Sequence, residues 1–144
     1  MTPDVNVSLA ASRSDHPHHR TALEWLEEAL VATARGERLL LLPMVAAGSL
    51  RLVTHSRELV EPTPLEAATD VLTALLNADG VERVRLGDEW PLLEPLCRQH
   101  QLMGNAISDG WIAAVVLARQ DGLVTLDRNL VPLLPPRRLV LLGA

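Results

Sequence analysis

Apolar residues recur along this chain in two rhythms. Leu39 to Leu42 and Leu123 to Leu126 are short apolar runs of the length expected for buried parallel strands, and Leu139 to Leu142 reads as a last strand. Val81 to Leu86 alternates apolar and charged residues, which predicts a strand near a sheet edge. Thr2 to Leu9 reads as a short first strand passing into a helix or turn, kept brief by Pro3, which lacks an N–H. The second rhythm is helical. After the helix-start cluster Ser14-Asp15-His16-Pro17, Leu23, Leu26 and Leu30 share one face and Glu24, Glu27 and Glu28 lie outside, to about Ala34. Val45 to Val53 is a second helix. Thr63-Pro64-Leu65-Glu66 is a capping box that opens a third, ending near Asn77. Asp88 to Gln101 is a fourth, with Pro91 tolerable in its first turn and Pro95 deep enough to kink it. A last helix starts with Ser108 or Asp109 as its cap, carries Ile112, Val115, Val116 and Arg119 at helical spacing, and stops at Gly122. Thr54 to Pro62, with His55 and Arg57, is a polar loop, and Pro132 to Pro136 is another.

The order β-α-β-α-α-β-α-α-β-β argues an α/β class with a parallel sheet between helices. The 144 residues are the size of one domain, 1–144, with no repeat or linker. Composition narrows the chemistry. Hydrophobic residues make up 48% of the chain, but Phe and Tyr are absent, so Leu, Val, Ala and three Trp must fill the core. All 13 basic residues are Arg. The absence of Lys removes P-loop and Schiff-base chemistry. A net charge of −5 argues against a general polyanion binder. The lone Cys97 forbids an internal disulfide and fits a reducing, cytoplasmic setting. No run is long enough to span a membrane.

Acidic residues stand at the ends of these elements. Asp109 is placed at a helix start, where the ionised form is favoured, and Asp127 ends a strand. Asp4 follows the first strand. Ligands of open α/β sheets bind beyond the carboxyl ends of the strands, so these three carboxylates are expected to converge on one small volume. Carboxylates are the hard ligands that Mg²⁺ or Mn²⁺ prefers, and such a site suits phosphodiester hydrolysis. Taken singly, Asp109 is a cap and Asp127 a turn residue; only their joint placement points to a site. Asn6 and Asn105 could bond the carboxylates, and Arg51 a substrate phosphate. His16, His18 and His19 read as a surface cluster. Trp111 could stack on a base, but its helical position favours packing.

Asp4-Val5-Asn6-Val7, Asp15-His-Pro-His-His, Leu50-Arg-Leu-Val-Thr54, Gly104-Asn105 with Ser108-Asp109, and Thr125-Leu-Asp127-Arg-Asn resemble, in order, the motifs of PIN domains. The pattern is most similar to the VapC toxins of bacterial toxin–antitoxin operons. The resemblance implies an α/β/α sandwich around a mostly parallel, roughly five-stranded sheet. It also implies Mg²⁺- or Mn²⁺-dependent cleavage of RNA, a homodimer, and inhibition by a VapB-type antitoxin. Asp4, Asp109 and Asp127 take the acidic positions, catalytic and metal-holding. Asn6, Ser108 and Asn105 support them, and Arg51 and Arg128 are candidates for phosphate contact. Two departures stand out. Gly48 occupies the place, three residues before Arg51, where most such toxins carry Glu, and Asn129 replaces a second acid in the last motif. A weakly active or inactive module that binds RNA or antitoxin is therefore the rival reading. An Asp-nucleophile phosphatase built on Asp4 is a third, weakened by the missing Lys.

Overall fold

The computed structural model describes residues 1–55 and 61–143. Arg57 and the middle of the polar loop lie outside the described residues. The elements are β1 (Thr2–Pro3), α1 (Val5–Ser12), α2 (His19–Thr33), β2 (Leu39–Leu41), α3 (Pro43–Val53), α4 (Leu65–Leu76), β3 (Val81–Arg83), α5 (Trp90–His100), α6 (Asn105–Ala118), β4 (Leu123–Thr125) and β5 (Leu139–Leu141). Short 3-10 turns at Arg128–Leu133 and Pro136–Arg138 occupy most of the segment expected as a loop.

All strand pairs are parallel, in two groups: β1-β4-β5 and β2-β3. The N–H of Leu40 donates to the carbonyl of Met1 at 3.0 Å and joins the groups, giving the spatial order β3-β2-β1-β4-β5. β1 and β4 are therefore the pair from which the chain winds outward in both directions. That is the switch point of an open α/β sheet.

β4 is buried on both faces, as its apolar run predicts. Its alternation sends Leu123 into one core and Val124 into another. The first core contains Ile112, Val115 and Val116 of α6 with Leu40 and Leu42. The second contains Val7, Ala10 and Ala11 of α1 with Ala22 of α2. These two cores on opposite faces make the three-layered α/β/α arrangement.

Three local expectations are corrected. The capping box at Thr63 does not form: α4 begins at Leu65, behind Pro64, with no side-chain cap. The Thr63 hydroxyl instead accepts a hydrogen bond from Arg13 at 3.1 Å. The edge strand is only Val81–Arg83. Finally, α6 begins at Asn105, so Asp109 lies in its second turn and caps nothing. The Asp109-Gly110 pair, a turn signal in isolation, lies inside the helix, where Gly110 leaves room for Leu93 of α5 and for Leu102 beyond it. A Cβ there would come within 2.7 Å of Leu102 Cδ1.

Candidate active site

Asp4 ends β1 and caps α1. Its Oδ1 accepts from the N–H of Val5 at 2.7 Å. Its Oδ2 accepts from the Thr125 hydroxyl at 2.7 Å and from Asn6 Nδ2 at 3.0 Å. Asp4 is 4% exposed, which puts a carboxylate in the core beside the β1–β4 pair. Burial pushes its pKa up, and the neighbouring Asp127 charge adds to this. The bonds from Thr125, Val5 and Asn6 act the other way, and the net direction is upward.

Asn6 is on the first turn of α1 and binds the end of β4, its Oδ1 accepting from the N–H of Leu126 at 2.9 Å. The Thr125 hydroxyl is the hub. It donates to Asp4 and accepts from Asn6 Nδ2 at 3.2 Å and from the N–H of Asp127 at 3.0 Å. One donor and two lone pairs are all that a hydroxyl has. Thr125 was not foreseen, because a Thr inside an apolar run reads as strand filler. Its place two residues before Asp127 was the available signal.

Asp127 caps the 3-10 turn after β4, its Oδ1 accepting from the N–H of Asn129 at 2.9 Å. Asp109 is half-buried on α6. Burial first, then the charges of Asp4 and Asp127, push its carboxyl up to about 6. This reverses the expectation that a helix start would favour its ionised form. It also means that the three acids lie within electrostatic reach of one another. They do not make a closed cage: among the described residues, no group of three or more His, Cys, Asp or Glu side chains could hold a metal ion. The chemistry of the set still fits Mg²⁺ or Mn²⁺. The donors are hard oxygens, burial together with the neighbouring acids raises two carboxyl pKa values, and Mg²⁺ keeps several waters.

Asn105 and Ser108 are exposed on the first turns of α6, and Asn105 precedes Asp109 by four residues on the same helix face. Arg51, in the last turn of α3, and Arg128, directly after Asp127, are exposed. Trp111 is half-buried against the first core, and its indole N–H donates to Glu89 at 3.1 Å, so it packs and does not present a face for a base. The histidines do not gather into a metal-holding group among the described residues. His16 Nδ1 accepts from the N–H of His18, which leaves the proton of the neutral ring on Nε2. His19 Nδ1 stands 2.8 Å from the Ala10 carbonyl.

A parallel sheet between helix layers, with acids gathered at the β1–β4 switch point, agrees with what the sequence matches. Residues 1–131 match the PIN domain model, and the chain belongs to the PIN domain family. Among curated relatives, it is 32% identical over 133 residues to Ribonuclease VapC31 of Mycobacterium tuberculosis, covering 88% of this chain and 87% of that protein. It is 35% identical over 131 residues to Ribonuclease VapC43 of M. tuberculosis and to VapC ribonuclease Mb2897 of Mycobacterium bovis, covering 88% of this chain and 84% of each. Within the PIN domains it is thus a member of the VapC ribonuclease family. The phosphatase reading falls with that membership.

Proposed function

We propose that this protein is a Mg²⁺- or Mn²⁺-dependent endoribonuclease that hydrolyses RNA phosphodiesters, and that it is the toxin of a VapBC-type pair. The observation that carries the reading is the placement of Asp4 after β1 and Asp127 after β4, with Asp109 of α6 near enough to feel both charges, in a chain of the VapC ribonuclease family. Asp4, Asp109 and Asp127 are the residues that would hold the ion. When bound, a divalent ion lowers the pKa of a coordinated water and neutralises charge on the phosphate. The chain's own groups do the rest. Asn6 and Thr125 orient Asp4. Asn105 and Ser108 border Asp109, and Arg51 and Arg128 offer exposed guanidinium groups to RNA phosphates.

The partners of this reading are RNA, a VapB-type antitoxin and a second copy of the chain, in the cytoplasm. No helix among the described residues is long and apolar enough to cross a membrane. Support for protein partners comes from α1 to α4. Val7, Ala11, Leu26, Val53, Leu72 and Leu75 help to line an apolar hollow of about 240 Å³ there, and Leu65 and Val71 of α4 are exposed beside it.

The test is cleavage of a generic RNA by the purified chain. Cleavage should stop with EDTA and return with Mn²⁺, and expression without antitoxin should arrest growth. Gly48 favours a second reading, a module that binds without cutting, because Val5 fills the space beside it. Antitoxin binding without any cleavage, with or without Mn²⁺, would establish that reading instead.

A further inference from the structure

We propose that the Thr125 hydroxyl is a positioning group that commits Asp4 to offering a single oxygen, Oδ1, to a cation and sets the spacing between Asp4 and Asp127. The inference rests on the metal-dependent reading above and concerns how this chain's residues prepare for the ion. The two lone pairs of Asp4 Oδ2 are taken by Thr125 Oγ1 at 2.7 Å and Asn6 Nδ2 at 3.0 Å. Oδ1 has accepted one bond, from the N–H of Val5, and keeps one lone pair. Asp4 is therefore a one-oxygen ligand by construction. The same Thr125 oxygen receives the N–H of Asp127, so one atom touches the carboxylate of one acid and the backbone of the other. Thr125 itself is fully buried, reaches no solvent, and needs no contact with RNA to act.

The geometry separates the hydroxyl from the rest of the side chain. Thr125→Val keeps the shape and strand preference but removes the donor and the acceptor together. Thr125→Ser keeps both. The test titrates Mn²⁺ into the metal-free full chain, followed by electron paramagnetic resonance, with RNA cleavage measured in parallel. Thr125→Val should fold, judged by circular dichroism, yet bind Mn²⁺ about tenfold more weakly or worse, as the loss of groups behind a metal ligand generally does. Its cleavage loss should fall on kcat and leave KM. Thr125→Ser should restore Mn²⁺ affinity to within a few-fold of the parent. If Thr125→Val does not fold, Thr125→Ala removes the same hydroxyl with less bulk, and the same outcomes apply. Parent-like Mn²⁺ affinity in the folded variant lacking the hydroxyl overturns the proposal, as does a Thr125→Ser chain as weak as Thr125→Val. A parent that binds Mn²⁺ but cuts no RNA overturns the ribonuclease reading alone, because the affinity comparison still decides the role of Thr125. A parent that binds no Mn²⁺ overturns both.

Discussion

Val5 and Gly48 approach so closely that a side-chain carbon built on the glycine would stand 3.0 Å from Cγ2 of the valine. Taken from the sequence alone, Gly48→Glu promises up to ~1 kcal/mol of helix propensity. The valine reverses that expectation, since overpacking of this kind costs about 1–3 kcal/mol. Gly48→Glu should lower stability in urea melts, and Val5→Ala should recover part of the loss when combined with it. A double-mutant cycle with no coupling between the two positions would show that they do not compete for space.

Asp109→Asn is a cleaner change than its sequence position suggests. Asp109 lies in the second turn of α6, so no cap is disturbed. The Asp109 pKa is raised from 3.8 to about 6, and Asp4 is raised as well. The folded protein therefore binds more protons than the unfolded chain between those values. Stability should rise as pH falls from about 6 towards 3.8, and this contribution is lost as pH climbs through 6. Asn copies the uncharged form. Without divalent ions, Asp109→Asn should melt higher than the parent at pH 7.5 and gain less on acidification. Equal melting temperatures at pH 7.5 would show that Asp109 carries no such burden.

Divalent ions should relieve the same burden. Millimolar Mn²⁺ should raise the melting temperature at pH 7.5, by an amount worth about 2.7 kcal/mol at a hundred times the dissociation constant. The shift should shrink below pH 6, where Asp109 takes a proton, and should be small in Asp109→Asn. A parent unaffected by Mn²⁺ at pH 7.5 would contradict the metal-holding role of these acids.

Arg13 closes the far end of α1. It makes a bidentate pair with Asp15, donates to the Glu61 carbonyl at 2.6 Å and bonds Thr63, with its side chain 12% exposed. Arg13→Ala should lower the melting temperature by several degrees, through lost packing as well as lost bonds, while Asp15→Asn, at an exposed position, should matter far less. Mn²⁺ affinity should not change in either. A weakened Mn²⁺ site in Arg13→Ala would mean that this clasp and the acids are coupled.

The apolar runs were readable because burial on both faces of a parallel strand leaves no polar alternation to confuse. Leu39–Leu41 and Leu123–Thr125 are buried throughout and fall within the predicted runs; Leu139–Leu141 does too, although it is a partly exposed edge strand. What failed was local polar chemistry whose partner lies elsewhere in the chain. Thr63 looked like a cap, but Arg13, fifty residues earlier, uses its hydroxyl. Asp109-Gly110 looked like a helix start, but Leu102 and Leu93 of the facing segment explain the glycine. Asp4 and Asp127 could be placed from element ends alone. The atom between them, on Thr125, could not, because nothing in a β-branched residue within an apolar run says that its hydroxyl has three partners.

The bond between Asp4 and Thr125 joins residues 121 positions apart. During translation, Asp4 leaves the ribosome long before Thr125 and Asp127 are added, and β1 has no β4 to lie against until then. A growing chain therefore carries the first acid of the site without its hydroxyl partner, its neighbouring strand or its third acid. On the ribonuclease reading, a protein made from RNA acquires the means to cut RNA only after β4 and its Thr125 have been made, so the messenger being read is not exposed to an enzyme assembled before that point.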